Sequence, residues 1–206
     1  MKVSIIMAVF NYPSLTKALD SIPRRNDIEV LVVDDCSTDE TWEILENYYN
    51  EHLNDFGNFI IMRSAQNYGL GHTKNTMFEM ARGEYIYQLD DDDWLYPDVF
   101  EQAMNELDGS DLVYVCPQIN DGAIYYLTPE TKGLFVAGFT RFIRREFMKN
   151  KRTKEDDWQE DLYFHNLLQT YNPTEKYTDL VPYHYNWPRE NSICWRLNKG
   201  IAPNKE

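Results

Sequence analysis

The order of apolar and polar positions divides the first half of the chain into short apolar runs separated by amphipathic stretches. Val3–Val9 is almost continuously apolar and stops at Asn11-Tyr12-Pro13, the pattern of a strand covered on both faces. Pro13 can open a helix, and Leu15, Ala18, Leu19 and Ile22 follow it at helical spacing. Residues 30–33, between Glu29 and Asp34, predict a second buried strand. Ser37 and Glu40 then have the spacing of a capping box, ahead of a helix with Trp42, Leu45, Tyr49, Leu53 and Phe56 on one face. Residues 58–62 predict a third strand, and a glycine-containing loop at 67–71 leads into a helix through Met77 and Ala81. A fourth strand over 84–89 ends in Asp90-Asp91-Asp92-Asp93, Pro97 opens another helix, and 111–116 predicts a fifth strand.

Strands that alternate with helices and are apolar throughout imply a parallel sheet with helices on both faces. Ligands of such sheets bind at the carboxyl ends of the strands. Here those ends are Asn11, Asp34 with Asp35, and Asp90 to Asp93, so three polar clusters distant in sequence are expected on one rim. Beyond about Gly122 the pattern loosens into aromatic-rich segments (Tyr125, Tyr126, Phe135, Phe139, Phe142), a basic stretch, a helix over 161–168 and a Tyr/Pro/Trp-rich tail. No linker sets this part off. It reads as a lid and partner-binding half on the same sheet, making 1–206 one domain.

Composition adds limits. The 206 residues are 43% hydrophobic and 26% charged, which is globular. A formal net charge of −14 argues against general nucleic-acid or anionic-membrane binding. Residues 1–100 hold 7 basic and 18 acidic side chains (−11), and 101–206 hold 13 and 16 (−3), so the acid gathers where the rim is expected. Cys36, Cys116 and Cys194 form no metal or disulfide pattern and read as reduced core thiols. No apolar run approaches the ~18 residues of a membrane span. The start lacks the layout of a signal peptide, so the reading is a soluble cytoplasmic protein.

Four consecutive aspartates at a strand end are the sharpest chemical feature. Crowded carboxylates raise one another's pKa. A divalent cation offsets that repulsion, and hard oxygen ligands suit Mg²⁺ or Mn²⁺, often completed by substrate phosphates.

Four segments in order resemble the family-2 glycosyltransferases. They are SIIMAVFN at the first strand, EVLVVDDCSTDET at the second, the loop and helix at 66–75 with ARGEYIYQLDDDDWLYP after it, and WQEDLYFHNLL near the end. Together they span about residues 3–168, with Ala8 and Phe10 as departures from the family's first strand end. The resemblance implies a GT-A fold, with 1–116 as the nucleotide-sugar-binding half and 117–206 as the acceptor-binding half with its tail. It implies an inverting, metal-dependent transfer of one sugar from a nucleotide-diphosphate donor, a UDP-sugar first, to an acceptor hydroxyl on a glycan, lipid or other molecule. Ala8, Phe10, Asn11, Asp35, Lys74, Asp90 and Asp91 become the expected donor-binding residues, with Asp35 accepting from a uracil-like NH and Asp34 ordering the loop. Lys74 stands where the family usually has Arg. Asp92 becomes the expected ligand of Mn²⁺ or Mg²⁺ within the Asp-x-Asp motif, Asp93 a turn-former, and Asp161 the general base.

His184, in Tyr183-His184-Tyr185, reads either as a second metal ligand, since a late His completes the metal shell in some relatives that the sequence resembles, or as a packed, hydrogen-bonded strand histidine. His72 and His165 read as helix-surface residues and His52 as a helix-edge residue. The basic cluster Arg141, Arg144, Arg145, Lys149, Lys151, Arg152 and Lys154 reads either as a site for a diphosphate lid or anionic acceptor, or as a solvated helix face. Tyr125, Phe135, Phe139, Trp158 and Trp187 could stack on sugar rings, although most such aromatics pack in cores. The alternatives are a GT-A-like nucleotidyltransferase, which should show a Gly-rich basic first loop that Asn11-Tyr12-Pro13 does not supply, and a catalytically inactive sugar-nucleotide-binding module.

Overall fold

The computed structural model describes residues 1–120, 122–155 and 160–187. The elements follow in the order β1 (Val3–Val9), α1 (Thr16–Asp20), β2 (Ile28–Asp34), α2 (Thr41–His52), β3 (Asn58–Arg63), α3 (Leu70–Met80), β4 (Tyr85–Gln88), β5 (Trp94–Leu95) and α4 (Pro97–Asn105). They continue with β6 (Leu112–Tyr114), β7 (Pro117–Ile119), β8 (Arg141–Arg144), α5 (Arg145–Met148), α6 (Glu160–Gln169), β9 (Glu175–Tyr177) and β10 (Tyr183–Tyr185).

Seven strands form one sheet in the order β3-β2-β1-β4-β8-β6-β9. Every neighbouring pair is parallel except those made by β8, which runs against both β4 and β6. The strands are apolar throughout because both faces are covered. On β1, Val3, Ile5, Met7 and Val9 enter one core with Ala18, Leu19, Leu45, Phe100 and Met104, from α1, α2 and α4. Ile6 enters the other with Met77, Phe78, Met148, Phe164 and Leu168, from α3, α5 and α6. Each fully buried aliphatic chain contributes roughly 1.5–3 kcal/mol at most, so a strand feeding two cores is a principal source of stability. The expected α/β architecture is therefore the observed one, and β8, β6 and β9 complete a sheet that the first half begins.

Several local expectations are corrected. Ser37 caps nothing: its hydroxyl donates to Asp34 Oδ1, and α2 begins at Thr41, whose N–H donates to Asp39 Oδ1 at 3.0 Å. The helix after Pro13 starts only at Thr16. The basic stretch is not one helix face, because it begins as the interior strand β8 and its members find separate partners. Arg144 pairs with Asp111 at 2.5 Å, Arg152 with Glu79 at 2.6 Å and Lys149 with Glu146 at 2.7 Å. Arg145 Nε donates to the Gly83 carbonyl at 2.9 Å. His165 is buried at 5% exposure rather than on a helix surface. Cys116 is buried, whereas Cys36 is only half-buried, in the loop after β2 at φ 67°. Cys194 and Trp158 lie outside the described residues.

A second, three-stranded sheet has the order β5-β10-β7. Two- and three-residue strands carry too little periodicity to be read from sequence.

Candidate active site

The parallel register brings the expected strand ends together. Val9 lies beside Asp34, and the Asp35 N–H donates to the Val9 carbonyl at 2.8 Å. Ile6 lies beside Gln88, and the Leu89 N–H donates to the Ile6 carbonyl at 3.0 Å, so Asp90 follows next to the end of β1. Asn11, Asp35 and the aspartate run share one rim.

The first part of the rim is built from backbone amides on carboxylates. Asn11 takes a left-handed conformation, φ 49°, which Asn tolerates better than most residues. It ties the two loops together, because its N–H donates to Ser37 Oγ at 2.9 Å and its Oδ1 accepts from the Thr38 N–H at 2.8 Å. Asp34 is fully buried and holds the loop, accepting from the Ser37 amide at 3.1 Å, with Arg63 Nε 3.3 Å away. Asp35, 4% exposed, accepts from the amides of Tyr68 at 3.0 Å and Gly69 at 2.7 Å. Each carboxylate oxygen has two acceptor sites, so Asp35 keeps capacity for a ligand N–H. Phe10 is exposed beside this loop, and Ala8 is half-buried.

The aspartate run is held from the second sheet. The Tyr183 hydroxyl accepts from the Asp90 N–H at 3.2 Å and donates to Asp93 Oδ2 at 2.5 Å. Asp93 also accepts from the Asn186 N–H at 2.8 Å, and Asn186 Nδ2 donates to the Asp92 carbonyl at 3.1 Å. Burial, then the charges of Asp90 and Asp92, push the Asp93 carboxyl well above the usual range. Asp93 thus anchors the turn. Burial pushes Asp90 up to about 7 against the pull of Lys74, with Asp92 adding to the rise. Gln88 Nε2 donates to Asp90 Oδ1 at 2.7 Å.

Lys74 lies among acids rather than in solvent. It is 3% exposed, and its Nζ lies 2.7 Å from Glu160 Oε1 and 3.2 Å from Asp161 Oδ1. Burial would lower its pKa, but the charges of Asp161, Glu160 and Asp90 outweigh burial and raise it. The lysine thus keeps its charge and ties α3 to the start of α6. Asp161 itself stays about a third exposed. The chain leading to it is docked on α3: Asn75 Nδ2 donates to the Thr153 carbonyl at 3.1 Å, and the Thr153 N–H donates back to Asn75 Oδ1 at 2.9 Å.

His184, in β10, is a packed and hydrogen-bonded strand residue. Its Nδ1 lies 2.9 Å from the Tyr96 hydroxyl and its Nε2 2.8 Å from Asn120 Oδ1, so both ring nitrogens are engaged. The ring stacks on Trp94 at 3.7 Å between centroids, and Lys17 Nζ sits over the Trp94 ring at 3.1 Å. Burial, helped by Lys17, lowers its pKa. Of the aromatics, Tyr125 stacks on Phe135 and Phe139 on Tyr183.

Among the described residues no three His, Cys, Asp or Glu side chains close on a metal by themselves. The donors at the run are all oxygens, and burial, with Asp92 beside it, pushes the Asp90 carboxyl up despite the charge of Lys74. Such a site fits a hard divalent cation completed by phosphate oxygens. Sequence reasoning missed Tyr183, Asn186, Gln88 and Asn75, because hydrogen bonds between distant segments leave no periodic signal.

Comparison with known proteins gives a consistent result. Residues 4–157 match the sequence model of glycosyl transferase family 2. Chondroitin synthase of Escherichia coli is 40% identical over 90 residues, covering 44% of this chain and 12% of that protein. The uncharacterized glycosyltransferase EpsJ of Bacillus subtilis is 30% identical over 159 residues, 68% of this chain and 45% of that one. The chain therefore spans less than half of either relative. The crystal structure of S. aureus TarS 1-349 with UDP-GlcNAc superposes with a TM-score of 0.79 at 24% identity, over 93% of this chain and 60% of that one. The mannosyltransferase PcManGT from Pyrobaculum calidifontis, in complex with GDP-Man and Mn²⁺, superposes at 0.76 with 20% identity, over 96% and 60%. The likeness places the fold in the GT-A class.

Proposed function

The chain belongs to glycosyl transferase family 2, and on that premise we propose that it transfers one sugar, with inversion, from a nucleotide-diphosphate donor to an acceptor hydroxyl. The observation that carries the reading is the place of Lys74: it pairs with Glu160 and with Asp161, a carboxylate about a third exposed, and its charge acts on Asp90 at the strand rim. Donor-side and acceptor-side chemistry then meet at one place. The bound donors of the structural neighbours, UDP-GlcNAc and GDP-Man, support a nucleotide-sugar site.

Each residue has a distinct task. Asp35, fixed by two backbone amides, accepts from the NH of a uracil-like base, and Asn11 shapes the same pocket with Ala8 and Phe10. Asp90 or Asp91 faces the ribose. Asp92 would hold Mg²⁺ or Mn²⁺, which when bound supplies positive charge to the leaving diphosphate. Asp161 removes the proton from the acceptor hydroxyl as that oxygen attacks the anomeric carbon from the face opposite the diphosphate. Lys74 keeps Asp161 in place and balances Glu160, in place of the direct nucleotide contact expected of it. We place the enzyme in the cytoplasm, in keeping with its scattered cysteines and with the lack of any helix among the described residues long and apolar enough to cross a membrane.

The test is a panel of UDP- and GDP-sugars assayed for release of free nucleotide diphosphate. One donor should be hydrolysed slowly with Mn²⁺ or Mg²⁺ and lose that hydrolysis in EDTA. Full activity in excess chelator would remove the cation from the reaction, and silence across the panel together with no nucleotide binding would remove the function.

A further inference from the structure

Two segments of backbone hold Asp35. Its N–H donates to the Val9 carbonyl at 2.8 Å, at the end of β1. Its carboxylate accepts from the amides of Tyr68 at 3.0 Å and Gly69 at 2.7 Å, in the loop that enters α3. Gly69 permits that approach, because its φ of 90° is one that glycine adopts without strain. Its N–H also donates to Asn67 Oδ1 at 3.0 Å. The loop is thus fixed on the carboxylate, and the backbone of Tyr68 with it.

The Tyr68 ring stays in the open, at 43% exposure. One face is covered by His72, in the first turn of α3, with centroids 4.6 Å apart and planes 27° from parallel. A single exposed tyrosine is ordinary. Tyr68 differs because its ring is backed on one side, and because its own amide touches a carboxylate with acceptor sites to spare. A backed ring has less rotamer freedom for a ligand to freeze, so its free face is preorganised. Phe10, equally exposed, follows Val9 directly. Both backbone segments that hold Asp35 therefore carry an exposed ring.

The pairing of a π face with a carboxylate selects its ligand. A planar ring with an in-plane N–H satisfies both at once, since the ring stacks while the N–H meets the oxygen. A sugar ring is puckered, and a diphosphate offers a carboxylate only repulsion.

We propose that Tyr68 is a specificity-determining residue for the donor, its free face stacking on the nucleotide base whose N–H is held by Asp35. The proposal rests on the nucleotide-sugar reading and extends it, by assigning base affinity to a ring of the α3 loop in addition to Asp35, Asn11 and Phe10.

The test is calorimetric titration with Mn²⁺ present. UDP and GDP are compared on the wild type, and the tighter binder is carried to the variants beside inorganic diphosphate. Tyr68→Ala should weaken the nucleotide about tenfold, the scale of one lost stacking contact, while diphosphate binds as before. Tyr68→Leu keeps apolar bulk on the same loop without a flat ring, and should lose nearly as much. Tyr68→Phe should bind like the wild type, because the face acts and not the hydroxyl. Unchanged nucleotide affinity in Tyr68→Ala, full affinity in Tyr68→Leu, or an equal loss in Tyr68→Phe overturns the proposal, as does a parallel loss of diphosphate. If the wild type binds neither UDP nor GDP, the nucleotide-sugar reading fails and this role with it. If it binds one and the variants match it, only the stacking role of Tyr68 fails.

Discussion

Lys74 shows how far one residue's role depends on what the fold places around it. In sequence it is one charge in a helix, equally suited to solvent or to a nucleotide. In the structure it is buried between Glu160 and Asp161, within reach of Asp90. Removing the cation leaves the buried Glu160 carboxylate without its partner, and breaking a buried pair from one side costs about 3–5 kcal/mol. Lys74→Met should lose stability of that order in denaturant unfolding, with turnover falling alongside. A loss below about 1 kcal/mol would mean that the bridge is not a structural hub. Arg141 and His165 were illegible for a related reason: an arginine in a basic run and a histidine in an amphipathic segment look solvated until a strand pairing buries them. The partners of His184, Tyr96 and Asn120, were not legible either, because they come from distant segments.

Among the elements, α3 does most to assemble the site. Asn75 exchanges two hydrogen bonds with Thr153, Lys74 holds the start of α6, and Gly71 lets the chain cross closely. A Cβ on Gly71 would stand 1.8 Å from the Lys154 carbonyl oxygen, a backbone atom with little room to yield. Gly71→Ala should therefore cost about 1–3 kcal/mol in overpacking. It should reduce turnover more than UDP affinity, since the displaced segment leads to Asp161 and not to Asp35. Equal losses in both would place the damage in the donor pocket instead. The elements the sequence revealed are those with a clear apolar run or helical face, β1 to β4, β6, α1 to α4 and α6. The capping box at Ser37 misled because its hydroxyl satisfies buried Asp34 rather than a helix end. The basic run misled because a four-residue interior strand has no room to display a pattern.

At the scale of the whole molecule, a parallel sheet explains why three acidic or polar clusters far apart in sequence become one site. Register does the work: Val9 beside Asp34 and Ile6 beside Gln88 set the strand ends level. That convergence was readable from strand order and strand ends alone. The small sheet that pins the aspartate run through Tyr183 and Asn186 was not. The division of labour across the rim is the central claim, with donor chemistry on the aspartate run and acceptor chemistry on Asp161. It is tested most directly by measuring calorimetric donor affinity with Mn²⁺ and turnover, side by side, in Asp161→Asn and Asp92→Asn. Asp161→Asn keeps the shape and cannot take a proton, so turnover should fall by about 10²–10⁴ while donor affinity stays within a few-fold. Asp92→Asn should weaken metal-dependent donor binding and turnover together. Near wild-type turnover in Asp161→Asn, or unchanged metal-dependent donor binding in Asp92→Asn, would contradict the account.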